Sequence, residues 1–223
     1  MKKIITISVL SLGTASFAAV SAKNFTGSYV GLTMGPNFFQ SKAYQTYSNE
    51  FADYNASSTL FNYGVYGGYG VLYDQLYFGG ELLISANYGD AKSVHQNHAG
   101  AITPSISVKE PYSVIPAFRL GTLILPKFLA FIKLGITGSQ FKGSATPLNG
   151  TGTTIYKKNM WGPSVGVGGE ILLTETLSAR AEYIYTTYPA YKFSVTSSAG
   201  ISSDQIKIKP RDNRLLFGLS WNF

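Results

Sequence analysis

Seven charged residues sit inside segments otherwise made of apolar and small residues: Glu81, Arg119, Lys133, Glu170, Arg180, Glu182 and Arg214. Charges placed that way pair with one another, line a path for ions, or serve as acid and base toward a substrate. Acid–base chemistry is poorly supplied, because the two histidines, His95 and His98, fall together in a polar stretch near Asp90 and away from all seven. A His pair at that spacing suits a metal. The chain has no cysteine and no clear third ligand, however, so no catalytic, cofactor or metal site is expected. The seven charges comprise four cations and three acids, a near-neutral set whose plainest reading is a network of buried ion pairs.

A second basic set lies in polar stretches. Lys142, Lys157 and Lys158 fall within residues 139–160, and Lys192, Lys207, Lys209 and Arg211 within residues 188–211, so that each stretch carries a formal +3 once Asp204 is counted. Contact with an acidic surface or an anionic ligand is the functional expectation, set against ordinary solvated lysines. Residues 36–59, with Lys42, Glu50 and Asp53, sum to −1.

The elements that must hold these groups show a period of two. Leu76, Phe78, Gly80, Leu82, Ile84 and Ala86 alternate with Tyr77, Gly79, Glu81, Leu83 and Ser85. Ala130, Ile132, Leu134 and Ile136 alternate with Lys133, Gly135 and Thr137, and Leu177, Ala179, Ala181, Tyr183 and Tyr185 oppose Ser178, Arg180 and Glu182. Eight such segments are predicted, at 25–35, 60–72, 76–87, 112–124, 128–138, 161–173, 177–187 and 212–223. Three connections are very short and four run just over twenty residues, the pattern of tight turns at one rim and long loops at the other. Placing all seven charges on inner faces avoids roughly 2–4 kcal/mol for each Arg or Lys that would otherwise meet the bilayer midplane.

The N-terminal stretch reads as an export signal. Lys2 and Lys3 precede an apolar run from Ile4 to Phe17, with small residues Ala18, Ala19, Ser21 and Ala22 after it. That run falls short of the ~20 residues of a spanning helix. Residues 1–22 are assigned as signal peptide and 23–223 as one domain. Removing Lys2 and Lys3 lowers the formal +7 to +5, too modest for a nucleic-acid binder. With Gly 24, Tyr 16, Phe 14 and 13% charged residues, the composition suits strands with aromatic girdles. The predicted fold is all-β, an eight-stranded antiparallel up-and-down transmembrane β-barrel, since lipid leaves no partner for an open sheet edge.

The last predicted strand sets Leu215, Phe217, Leu219, Trp221 and Phe223 on one face, a pattern similar to the C-terminal signal read by barrel-assembly machinery. Tyr29-Val30-Gly31-Leu32, Gly79-Gly80-Glu81-Leu82, Val165 through Glu170, Arg180 through Tyr185 and Leu216 through Phe223 together resemble the small OmpA-like or opacity-type barrels of Gram-negative outer membranes. The resemblance covers the strands and implies an outer-membrane location, lipid and lipopolysaccharide as surroundings, and a structural or surface-interaction role of adhesin or antigen type. Two other functions remain open: a small or gated pore with Glu81, Arg119 and Arg180 along its path, and a membrane-embedded hydrolase dependent on His95 or His98.

Overall fold

A computed structural model of the chain describes residues 25–47, 50–89, 91–93, 105–146, 154–196 and 203–223. The proposed signal peptide, His95 and His98 lie outside the described residues. Eleven strands run through the described residues: β1 (Gly27–Tyr47), β2 (Glu50–Tyr73), β3 (Leu76–Tyr88), β4 (Ala91–Ser93), β5 (Ser105–Lys109), β6 (Tyr112–Leu125), β7 (Phe128–Thr146), β8 (Thr154–Leu172), β9 (Leu177–Thr187), β10 (Tyr191–Thr196) and β11 (Ser203–Asn222).

Eight of them close a ring. Strand β1 pairs with β2, β2 with β3, β3 with β6, β6 with β7, β7 with β8, β8 with β9 and β9 with β11, all antiparallel. Strand β11 returns to β1 from Tyr29↔Asn222 to Thr46↔Gln205, which leaves no free edge in the wall. The short strands lengthen one rim: β4 pairs with β5, β5 with the far half of β7, and β10 with the far half of β11. At the opposite rim the turns are tight. Asp74 takes a left-handed φ of 55° between β2 and β3, a conformation that short polar side chains tolerate.

Burial is inverted relative to a soluble domain. Arg119, Lys133 and Arg214 are buried at 1%, 2% and 0% exposure, whereas Leu32, Ile136 and Leu219 stand open at 64%, 53% and 54%. The same inversion runs along β3 residue by residue. An apolar outer wall of this extent is stable only against hydrocarbon, and the alternation assigns lipid to one face and a filled interior to the other.

The strand lengths correct the expected segments. The sequence suggested unstructured stretches at 36–59, 139–160 and 188–211, but β1 and β2 stay paired without a break from Gly27↔Gly70 to Tyr47↔Glu50. Strands β7 and β8 likewise run on to Ala145↔Thr154, and β10 and β11 occupy much of the last stretch. The reason is physical. Beyond the membrane a strand paired on both sides still satisfies its backbone groups, and water imposes no apolar outer face, so the lipid-facing pattern stops before the strand does.

Candidate functional site

The barrel interior is filled in layers. Nearest the tight turns, Phe25, Tyr77, Leu129, Phe131 and Leu172 form an apolar floor. Above it lie three acids and three cations. Glu81 is their hub: its Oε1 accepts from Lys133 Nζ at 2.6 Å, and its Oε2 from Arg180 at 2.5 Å and from the Tyr29 hydroxyl at 2.9 Å. Arg119 stands 3.5 Å from Glu81 and donates to Glu170 Oε2 at 2.7 Å, while Lys133 also pairs with Glu182 at 2.5 Å. Ser178 donates to Glu170 Oε1 at 2.6 Å.

Aromatic rings hold the guanidinium groups between these carboxylates. Arg180 lies 3.6 Å from the Tyr66 ring centroid and Arg119 lies 4.0 Å from that of Phe131, distances suited to cation–π attraction. Tyr66 fits across the bore because Gly31 and Gly218 face it; a Cβ at Gly31 would run into its ring, and one at Gly218 would come 3.0 Å from its hydroxyl. An apolar layer follows, made of Tyr29, Tyr66, Leu83, Ile115, Ile184 and Leu216.

The next layer is polar again. Arg214 reaches Asp212 at 2.6 Å and Glu110 at 2.7 Å through one nitrogen, and Ser113 and Ser85 at 2.6 and 3.2 Å through another. Ser139 donates to Glu110 at 2.6 Å, and Ser139 and Tyr188 share a 2.8 Å hydrogen bond. Asn37, Asn62 and Asn87 join from the side. Phe39, Leu60, Phe141, Met160 and Tyr188 cap this layer with a third apolar cluster.

All seven charges singled out in the sequence therefore lie inside, but not as one set: Arg214 belongs to the upper layer, apart from the other six. Glu110 and Asp212, both buried, were missed. Asp212 shares a strand face with Arg214 and was recoverable from the alternation. Glu110 was not, because Pro111 interrupts the strand and the inward parity resumes only at Ser113. Counting both, five acids face four cations, with the unmatched negative charge in the upper layer.

Of the rim lysines, Lys142 and Lys157 are directly paired positions of β7 and β8. Lys158 extends its ammonium over the Tyr191 ring at 5.1 Å, away from them. Lys209 and Arg211 lie on β11, and the side chains of Lys192 and Lys207 are outside the described residues. Leu215, Phe217, Leu219, Trp221 and Phe223 share the outer face, and the Phe223 amide donates to Ser28 O at 2.9 Å, fastening the last residue to the start of β1. No group of three or more His, Cys, Asp or Glu side chains suited to a metal occurs among the described residues.

A closed antiparallel ring with an apolar exterior and an ion-paired interior defines a membrane β-barrel. The outer membrane protein beta-barrel domain family matches residues 7–223, and the chain belongs to that family. Its location is the outer membrane. Among solved structures it is similar to the outer membrane protein OprG from Pseudomonas aeruginosa, with a TM-score of 0.59 and 13% identity over 89% of this chain and 96% of that one. It is also similar to the outer membrane protease OmpT from Escherichia coli, with a TM-score of 0.54 and 11% identity over 94% and 99% of the two chains. Neisserial surface protein A aligns at 17% identity and a TM-score of 0.46, over 89% of this chain and 98% of that one. At such identities the likeness is one of fold. No curated protein matches the sequence significantly.

Proposed function

We propose that this barrel is a non-conducting surface protein whose elongated hairpins make contacts outside the membrane, in the manner of an adhesin or surface antigen. The observation that carries this reading is the alternation of apolar and ionic layers along the bore, which offers ions no continuous polar path. Arg119 and Arg180 both contact Glu81 rather than being arrayed along an aqueous channel. A transmembrane strand needs only about 9–11 residues, yet β1 has 21 and β2 has 24. The surplus raises a paired hairpin above the lipid, a rigid platform for contact.

The hydrolase alternative rests on His95 or His98, and no histidine occurs in the interior layers among the described residues. The outward row ending at Phe223 is read as the contact for barrel-assembly machinery, the partner such a strand needs before it can close the wall. The surface-interaction reading is tested by shortening the β1–β2 hairpin through removal of residues 42–55 and measuring attachment of bacteria displaying the protein to host cells. Attachment is expected to fall at least about ten-fold, a typical loss when a contact platform is removed. Unchanged attachment of this variant and of a matching β7–β8 deletion would contradict the reading.

A further inference from the structure

We infer that the rim carries a docking slot for an extended acidic peptide segment of a partner protein, added as a strand along the free edge of β8. The inference rests on the reading that the hairpins above the membrane make the protein's contacts, and it names one place and one kind of partner for them.

The slot follows from strand pairing. Across the membrane the ring is closed, but β8 pairs with β9 only from Leu172↔Ser178 up to Ser164↔Thr186. Its other edge stays paired to β7 as far as Ala145↔Thr154. On the far bank, β10 pairs with β11, from Tyr191↔Ile208 to Thr196↔Ser203, and not with β8. Among the described strands, β8 from Thr154 to Met160 therefore has a ladder on one side only. A row of backbone N–H and C=O groups about 20 Å long faces the seam toward β10, the template to which another strand adds.

The cause of the seam is local. The Tyr188 amide donates to Pro210 O at 3.2 Å, and the next pair is Tyr191↔Ile208. One strand thus advances three residues, Tyr188 to Tyr191, where β11 advances two, Pro210 to Ile208; the extra residue makes a β-bulge, which bends the strand that carries it. Tyr188 is held inward by hydrogen bonds with Ser139 at 2.8 Å and Asp212 at 3.3 Å, and Tyr191 packs against the same apolar cap. Amides alternate in direction along a strand, so with the Tyr188 N–H turned to β11 the next one would face β8. The next residue is Pro189, which has no N–H to give. The ladder to β8 ends there.

Charge selects the occupant. Lys157, Lys158 and Lys209 are exposed, and the two banks, residues 154–162 and 187–196, add Lys192 and contain no Asp or Glu. Lys158 reaches across the seam to the Tyr191 ring at 5.1 Å, tying the banks together at one level. At the foot of the seam a groove of about 720 Å³ is lined by Trp161, Pro163, Thr187, Pro189, Ala190 and Lys209. An extended chain with acidic side chains beside the lysines and an apolar residue in the groove fits both features. A second copy of the protein does not. Antiparallel pairing of β8 with β8 would set Lys157 and Lys158 against their own kind, and directly opposed like charges destabilise a ladder. The opposite seam, between β2 and β4, carries Glu50, Asp53 and Lys92, and its mixed charges select neither sign.

The test uses the full chain refolded in phosphatidylcholine nanodiscs, with Trp221→Phe leaving Trp161, at the foot of the slot, as the one tryptophan. The probe is a synthetic peptide that alternates glutamate with threonine and ends in leucine. It is expected to change Trp161 emission saturably. A matched peptide with lysine for glutamate should need at least about ten-fold more, because like charges then meet. Peptides N-methylated at alternate amides, in one register or the other, should include one weakened at least about ten-fold by lost ladder hydrogen bonds. Lys157→Glu with Lys209→Glu, both exposed positions, should reverse the charge preference. No saturable response to the acidic peptide, or equal binding of the lysine peptide, would overturn the inference. Equal binding of both N-methylated peptides would also overturn it, leaving charge attraction without strand addition. Dimers of the unliganded protein that the peptide disperses would give the edge to a second copy instead. Failure of the peptide together with lost attachment on removal of residues 42–55 strikes the slot alone, whereas peptide binding with unaltered attachment strikes the contact reading.

Discussion

At the scale of residues, the interior is governed by what it costs to leave a buried charge without a partner. Glu81 neutralises Lys133 and Arg180 and lies within reach of Arg119, so Glu81→Gln leaves cations facing one another with no acid at the hub. The expected loss is about 3–5 kcal/mol in a urea titration of protein refolded into lipid vesicles; a loss below about 1 kcal/mol would show that the pairs contribute little. The upper layer predicts the opposite sign. Glu110 and Asp212 converge on a single guanidinium nitrogen of Arg214, leaving a formal −1 among buried groups. Glu110→Gln keeps an acceptor for Ser139 and Arg214 while removing that charge, so stability at neutral pH should stay level or rise by about 1 kcal/mol. In the same titration, a drop of several kcal/mol would mean that both carboxylates are needed as anions.

At the scale of elements, the chain alone revealed the membrane-crossing part of each stave, and for a definite reason. Lipid outside and a packed bore inside force alternation, as in Leu177 through Tyr185, and they force it only over the bilayer. Where β1 passes Phe39 and β7 passes Phe141, the outer face meets water, the alternation loses its apolar half, and the strands became illegible although the backbone continues in register. Removal of residues 42–55 should therefore leave the barrel's unfolding midpoint nearly unchanged, within about 0.5 kcal/mol, because the three described core clusters draw on none of its residues. A large fall would show that the platform and the wall fold as one unit. The closing strand behaves differently. Phe223→Ala combined with Trp221→Ala strips two outward aromatics near the Phe223–Ser28 hydrogen bond. Such a variant should insert more slowly into membranes, read as the band shift of folded against unfolded barrel, with little change in the interior ion pairs.

At the scale of the whole molecule, the sequence identified which face each charge occupies but not its height in the bore. Height depends on the stagger between neighbouring strands, and that stagger is fixed by closure between β1 and β11 rather than by any local pattern. This is why Arg214 read as one of seven equivalent charges yet lies in a separate layer. On the proposed reading, the layered filling leaves no ion path and the protein acts through its outer surfaces. Planar-bilayer recording of the purified, refolded barrel tests this most directly. The wild-type protein is expected to give no reproducible conductance steps at either polarity, with steps appearing only when the ionic layer is broken, as in Glu81→Ala with Arg119→Ala. Uniform, repeatable openings of the unaltered protein would contradict the claim.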